Sequence, residues 1–424
     1  MIRLNRDGLL FHEDFRRLWT ADAASQLGTA VTMVAMPLIA VRTLHATPFQ
    51  VGLLTTFEFL AFLVIGLPAG AWVDRLRRRS VMVVADLGRA ALLASVPLGA
   101  AFHVLTIWQL YGVVLVTGGL TVFFDVSYQS YLPFLVGGPH LVEGNAKLQG
   151  TQSVAQIAGP GIGGLLVQLL TAPFTIAVDA ASYLWSALWV ASIRRREPAP
   201  ERVAGARLLA EVREGLAFVS RHRLLRPIAA CTGWSNLFNA AGQSMLIVLL
   251  ARGLGLSAGV IGALFSAGAC GGVLGAFLAR PLAAKVGQGR LIWVSMALSS
   301  PLAFVQPFLH RDWTLGLFVA TQVVFFAGVV VYNVTQVSFR QGVTPERLLG
   351  RMNATMRFFV WGTMPLGGIL GGALGDSIGV RQTLLVTAIG ATLAFVWPFF
   401  SPLRSMRELP TSPDAELPAG RAAV

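Results

Sequence analysis

The 424-residue chain is 55% hydrophobic and 12% charged, with a formal net charge of +13. An ordinary soluble domain carries about 25% charged residues, so this composition excludes one and leaves a protein of the bilayer. The positive excess does not indicate nucleic acid, because the bases fall in short clusters at every second helix junction, as cytoplasmic retention of Lys and Arg requires, and do not line one face among aromatics.

In chain order, residues 1–17 are polar and charged (NRDG, HEDFRR). They predict a cytoplasmic N-terminus without a cleavable leader. Apolar stretches near 20 residues, the length that crosses about 30 Å of hydrocarbon, then predict helices over 18–41, 51–73, 81–104, 108–128, 146–170 and 174–193. These form a first six-helix bundle, 18–193. Residues 194–227 begin RRREPAPE and continue with Leu208, Leu209, Val212, Leu216 and Val219 on one helical face. This reads as a cytoplasmic linker with an amphipathic helix on the inner leaflet, the alternative being a solvated connector. Helices over 228–250, 260–279, 291–308, 313–334, 354–374 and 383–400 make a second bundle, 228–402. The Pro-rich, polar stretch 403–424 predicts a disordered cytoplasmic tail.

The fold expected is therefore an all-α polytopic membrane protein, twelve transmembrane helices in two pseudo-symmetric six-helix bundles. The symmetry is written in repeats. Gly70-Ala-Trp-Val-Asp74-Arg75 is echoed by Gly275-Ala-Phe-Leu-Ala279-Arg280, Asn145-Ala146 by Asn353-Ala354, Gly163-Gly164 by Gly371-Gly372, and Trp108 by Trp313. Related halves with a substrate site at mid-membrane are the architecture of many secondary transporters. With most bases on one side, both termini are cytoplasmic, and the expected location is a bacterial inner membrane.

Acids inside a bilayer are costly and so are candidates for function. The clear ones are Asp22, Glu58, Asp86, Asp125 and Asp179, all in the first half. Glu58 lies about 10 Å from the outer end of its span by helical rise. Burial at that depth penalises a charged carboxyl, which suits a proton or cationic-substrate site; the alternative is a structural, hydrogen-bonded acid. Asp86 and Arg89 share a helix face and can neutralise each other. With Asp125 and Asp22 they read as a gate or structural charge network. Asp179 either faces a cavity or caps a helix contact. Gln26, Asn236, Asn239, Gln243, Asn333 and Gln336, with Arg357 and Trp361, complete the substrate candidates; the competing reading is helix-to-helix hydrogen bonding. Acids facing amides and aromatics suit a bulky, largely apolar solute.

Small-residue ladders (Gly66xxxGly70, Gly159xxxGly163, Gly271xxxGly275, Gly367xxxGly371xxxGly375) mark close helix contacts, either sliding interfaces between the halves or tight packing within one. The run after Asp74 can bind helix ends and acids on the cytoplasmic face, holding one conformation shut, or act only as a topology determinant. Cys231 and Cys270 lack CxxC spacing, and no histidine has metal-ligand spacing, so neither metal nor cofactor is expected. GxxxxGK[ST] is absent and Lys147 and Lys285 are the only lysines, which leaves an ion gradient as the energy source.

GAWVDRLRRR (Gly70 to Arg79) resembles the signature between the second and third helices of the major facilitator superfamily, with Gly70, Asp74, Arg75, Arg78 and Arg79 on the pattern and Arg77 where the pattern has glycine. Ala158-Gly-Pro-Gly-Ile-Gly-Gly164 resembles the glycine-proline motif of its antiporters, placing Gly159, Pro160 and Gly163 among the gating candidates. The wording GLPAGAWVDR, YLPFLV, LVEGNAKLQGTQSVAQIAGP and LLGRMNATMR is similar to the drug-efflux branch that contains macrolide exporters and the enterobactin exporter. The resemblance spans roughly residues 15 to 400. It implies a monomeric proton antiporter that exports a hydrophobic drug or natural product by alternating access. Siderophore export, lipid or lysophospholipid translocation and a membrane-embedded transferase stand as alternatives, though paired Asp-rich metal motifs of a transferase are absent.

Overall fold

A computed structural model of the chain describes residues 9, 12–73, 75–137, 140–195, 197, 208–345 and 348–407. Asp74 and the tail beyond Arg407 lie outside the described residues. Among those described, every regular element is helical. In lipid a backbone must satisfy its own hydrogen bonds, and a helix does so within one segment.

The helices are α1 (Glu13–Leu38), α2 (Pro48–Val73), α3 (Arg78–Ala101), α4 (Ile107–Val136), α5 (Leu141–Leu170), α6 (Ala172–Ala191), α7 (Leu208–Arg221), α8 (Leu225–Val248), α9 (Ala258–Val286), α10 (Gln288–Ser299), α11 (Thr314–Gly342), α12 (Leu349–Gly362), α13 (Met364–Ile378), α14 (Val380–Thr392) and α15 (Val396–Phe399). Twelve crossings result: α1 to α6, α8, α9, α10 with a 3-10 segment Ser300–Phe308, α11, α12 with α13, and α14 with α15. Eleven of them are long and apolar enough to span a bilayer by composition alone. The remaining one, α8, carries Arg226, Asn236, Asn239 and Gln243, which lower its hydropathy.

Several helices outrun their apolar windows. α4 extends to Val136 and α5 begins at Leu141, because backbone hydrogen bonding continues past the point where side chains turn polar. The eleventh crossing is broken at Thr363, where Pro365 enters the first turn of α13 and has no N–H to offer the preceding turn. α10 tightens to 3-10 geometry where Pro301 follows Ser300. α1 and α8 each end in a π turn, Ile39–Thr43 and Leu249–Gly253.

The chain forms two compact units, Met1–Ala206 with Ile247–Ser266, and Arg207–Leu246 with Ala267–Val424. In the first, α6 packs on α1 and α3, α4 on α2 and α3, and α5 on α1. Its core gathers Phe15, Leu18, Met82, Phe124, Tyr131 and Leu135. In the second, α10 packs on α11, α12 on α7, and α13 on α14, around Leu225, Ile228, Tyr332, Phe339 and Met352. Large apolar side chains such as Trp108, Leu188 and Phe277 are exposed, as lipid-facing positions require.

The small-residue ladders sit within these units. Gly159 and Gly163 of α5 lie against Ala30 and Val31 of α1, Gly271 and Gly275 of α9 against Val323 and Ala327 of α11, and Gly367 and Gly371 of α13 against Leu237 and Ala241 of α8. An added Cβ at any of the six would crowd those neighbours. These six contacts are packing between helices of one six-helix repeat. Gly66 has nothing within 4 Å of where its Cβ would be.

Candidate functional site

α3 places Asp86 and Arg89 one turn apart, both buried, and Arg89 donates to Asp86 Oδ1. The guanidinium is held between the rings of Phe124 on α4, at 4.5 Å, and Tyr183 on α6, at 4.2 Å. Cation-π contact of this kind favours a desolvated guanidinium. One turn before Tyr183, Asp179 is buried and accepts hydrogen bonds from the hydroxyls of Thr32 on α1, at 2.6 Å, and Ser182, at 3.0 Å. The hydroxyls of Tyr183 and Thr29 share a further bond at 2.8 Å. Asp179 and Asp125 both lie within the electrostatic reach of Arg89.

On the same α1, Asp22 is buried and accepts from Gln26 Nε2 at 3.3 Å, with Asp125 and Tyr128 of α4 close by. Five of the charged residues singled out from sequence therefore share one region of the first unit: Asp22, Asp86, Arg89, Asp125 and Asp179. Asp86 pairs with Arg89, Asp125 and Asp179 lie within the reach of that guanidinium, and Asp22 joins the group through Asp125. Asp86 Oδ2 and Arg89 Nε are buried without a hydrogen-bond partner among the described residues. Glu58 of α2 stands apart, with an exposed side chain and no hydrogen-bond or ion-pair partner among the described residues.

The amides of the second unit are dispersed. Asn236 donates to the Val360 carbonyl of α12 at 2.9 Å, and Asn239 bonds back to the Ser235 carbonyl of its own helix at 2.8 Å. Gln243, Asn333 and Arg357 are exposed and Trp361 is half-buried. Gln336 is buried with its side-chain oxygen unpartnered among the described residues.

The loop arginines divide their work. Arg75 is exposed; Arg78 faces Glu197 at 3.8 Å, and Arg79 donates to the Ala191 carbonyl at the end of α6 at 2.5 Å. The linker start is tied to α1, since Asp14 accepts from the backbone N–H groups of Arg194 and Arg195, both at 3.0 Å. The linker helix α7 does not simply lie on a surface: Val219 is buried, Gly215 meets Arg351 and Thr355, and Glu214 pairs with Arg351.

At the other end of α1, a second arginine device uses the π turns. Arg42 donates to the Leu256 carbonyl, and Arg252 donates to the carbonyls of Val41, at 3.2 Å, and Ala46, at 2.7 Å. Each arginine is followed three residues later by a left-handed residue, His45 (φ 51°) or Gly255 (φ 60°). Beside this clasp the glycine-proline motif presents its second face: the Gly161 N–H donates to Ser266 Oγ at 2.8 Å, Gly164 meets the Ala258 carbonyl, and Gly262 sits against that of Pro160.

Sequence reasoning missed Tyr183, Thr32 and Ser182. Tyr183 was findable, because Asp179xxxTyr183 places both on one helix face. Thr32 was not, since its partner is 147 residues away. It also missed Arg42 and Arg252, whose matching Arg-x-Leu contexts are a repeat signal of the same kind as those already described.

Comparison with known proteins agrees with this architecture. Residues 9–423 match the family model MFS_3, described as transmembrane secretion effector. The chain is 28% identical over 395 residues to the multidrug efflux pump Tap of Mycolicibacterium fortuitum, covering 90% of this chain and 93% of that protein. It is 27% identical over 394 residues to the enterobactin exporter EntS of Escherichia coli O1:K1 / APEC, covering 91% and 90%. Among solved structures it is similar in fold to the nucleoside transporter NupG, with a TM-score of 0.72, 13% identity and coverage of 91% and 98%. A bacterial homologue of the iron transporter ferroportin gives a TM-score of 0.70 at 14% identity, covering 91% and 98%. The chain is a multi-pass membrane transporter rather than an enzyme, and it belongs to the transmembrane secretion effector family of the major facilitator superfamily.

Proposed function

We propose that this transporter exports a hydrophobic drug or natural product in exchange for protons, by alternating access across a bacterial inner membrane. Both termini are then cytoplasmic, and the monomer suffices. The observation that carries the reading is Asp86, Asp125 and Asp179 sharing Arg89, with Asp22 beside Asp125 and with Asp86 and Asp179 buried. Because Asp86 already pairs with Arg89, proton gain and loss fall on its neighbours. Asp179 is the best placed, since its two hydroxyl donors come from different helices and any shift of α1 against α6 would remove Thr32. Glu58, exposed and unpartnered among the described residues, is free to meet a cationic substrate or a second proton.

Drug export is supported by similarity to Tap and by a site rich in acids. Siderophore export is supported by similarity to EntS, although an anionic cargo would meet those same acids unfavourably.

The test uses inverted vesicles carrying the protein, an imposed pH gradient, and fluorescent cations, macrolides and a catecholate siderophore as cargo. Gradient-driven uptake of cations or macrolides, abolished in Asp179→Asn and reduced in Glu58→Gln, is expected. Uptake indifferent to the pH gradient removes proton antiport. Uptake of the siderophore alone transfers the reading to siderophore export.

A further inference from the structure

The two repeats treat their loop bases differently. In the first, Arg78 faces Glu197 and Arg79 caps the end of α6. In the second, Arg280 and Lys285 at the end of α9 line a cavity of about 490 Å³ together with Arg407 from the chain's last described segment, and no carboxylate pairs with any of the three among the described residues. The volume is in the range of small-ligand sites.

The local fold assembles the cavity. The backbone N–H groups of Gln288 and Arg290, at the start of α10, donate to the carbonyls of Arg407 and Met406 at 3.0 and 3.2 Å. Gly287, at φ +93°, and Gly289 make that approach possible: a Cβ on the first would lie 2.7 Å from Arg407 Cα and on the second 2.8 Å from Met406 Cβ. The tail therefore satisfies the helix donors, and the cation side chains remain to act on something else. Gln288 also lines the cavity and keeps a buried side-chain oxygen without a hydrogen-bond donor among the described residues.

Three bases without a carboxylate partner among the described residues, beside a spare acceptor, call for an anion that also brings a hydroxyl. We propose that the pocket formed by Arg280, Lys285, Gln288 and Arg407 binds the phosphodiester head group of an anionic, hydroxyl-bearing phospholipid of the inner leaflet. Basic pockets at the cytoplasmic ends of membrane helices recognise such head groups through charge and geometry. The guanidinium forks supply paired donors to phosphate oxygens, and Gln288 accepts from the head-group hydroxyl. The inference requires this end of the bundle to be cytoplasmic, but not that the protein be an exporter.

The test is native mass spectrometry of the full chain in detergent titrated with phosphatidylglycerol, with phosphatidylcholine as the neutral control and inorganic phosphate as competitor. One saturable phosphatidylglycerol site is expected, weakened roughly 100-fold in the triple variant R280Q/K285Q/R407Q, from three bases each contributing to attraction at an anionic surface. The variant R280K/R407K, which keeps the charge, should retain most of the binding and shows that the site and not the fold is being read. Resistance of binding to millimolar phosphate assigns the site to lipid; displacement assigns the same phosphate chemistry to a soluble anion and overturns the lipid source. Equal retention of phosphatidylglycerol by wild type and the triple glutamine variant, or equal retention of both lipids by wild type, overturns the site itself.

Discussion

Arg42 and Arg252 hold each other's loops: Arg42 donates to the Leu256 carbonyl after the second π turn, and Arg252 donates to the Ala46 carbonyl after the first. The reciprocity follows from the repeat, which sets both arginines in a π turn before a left-handed residue. Neither bond uses a carboxylate, so the clasp closes and opens without a proton. A charged hydrogen bond of this kind contributes about 1.5–3 kcal/mol, and Arg252→Ala removes two. Opening at this end should then become at least roughly tenfold more frequent. The measurement is the rate at which a membrane-impermeant maleimide modifies Leu256→Cys in a background lacking Cys231 and Cys270. An unchanged rate in Arg252→Ala would show that the clasp does not limit opening.

Gly28 of α1 faces Asp179 and Ser182 of α6 so closely that an added Cβ would overlap both side chains. Gly28→Ala should therefore push α6 outward and separate Asp179 from Thr32. Overpacking of this order costs about 1–3 kcal/mol. Melting temperature and proton-driven transport should fall together, and Ser182→Gly on top of Gly28→Ala should restore part of the melting temperature. By contrast Gly66→Ala, where no atom lies within 4 Å, should leave both unchanged. If the two alanine variants behave alike, the close approach at Gly28 is not what that glycine is for.

The contrast between Gly28 and Gly66 also marks what was legible before the fold was known. Helix count, the linker helix and the repeat came from apolar length and pattern, which depend on one segment at a time. The acids came from the cost of charge in lipid, so Asp86 and Arg89 could be paired from i, i+3 spacing alone. What spacing could not tell was whether Gly66xxxGly70 had a helix to meet, or that Asp179 would find Thr32 on α1. Those are contacts between segments far apart in the chain, and a single sequence carries no record of them. The uneven fate of the amides has the same origin: Asn236 and Asn239 are the same residue type three positions apart, yet one bonds to another helix and the other to its own.

Asp312 sets the start of α11. Its Oδ1 accepts from the Thr314 hydroxyl at 2.7 Å and from the Thr314 N–H at 2.9 Å, and these bonds hold the carboxyl below the ordinary aspartate value. A group depressed on folding stabilises the folded form above its unfolded value, near 3.9, and that contribution disappears as pH falls through the lower folded value. The first turn of α11 should loosen only in strong acid. Hydrogen exchange at 314–318, corrected for its intrinsic pH dependence, should show protection constant from pH 7 to 5 and falling below about pH 4. Asp312→Ala should show the acid-like exchange already at pH 7. Protection in that variant equal to wild type would mean that the helix start does not depend on the carboxylate.

Arg89 carries a sharper asymmetry. Removing one partner of a buried ion pair typically costs about 3–5 kcal/mol, because the other is left uncompensated. Here the two partners are not equivalent. Asp86→Asn leaves Arg89 with Asp179 and Asp125 within reach and with its two aromatic faces intact. Arg89→Gln leaves Asp86, Asp125 and Asp179 without the cation they share. Arg89→Gln should therefore destabilise the protein by the full amount, and Asp86→Asn by well under half of it. Adding Asp86→Asn to Arg89→Gln should recover stability, since it removes one of the stranded carboxyls. Thermal unfolding in detergent of the two single variants and the double completes the cycle. The recovery should shrink at acid pH, where protonation already relieves the stranded acids of Arg89→Gln. Equal losses from Asp86→Asn and Arg89→Gln would show an isolated two-residue salt bridge, and the case for Asp179 as a proton carrier would lose the shared cation on which it depends.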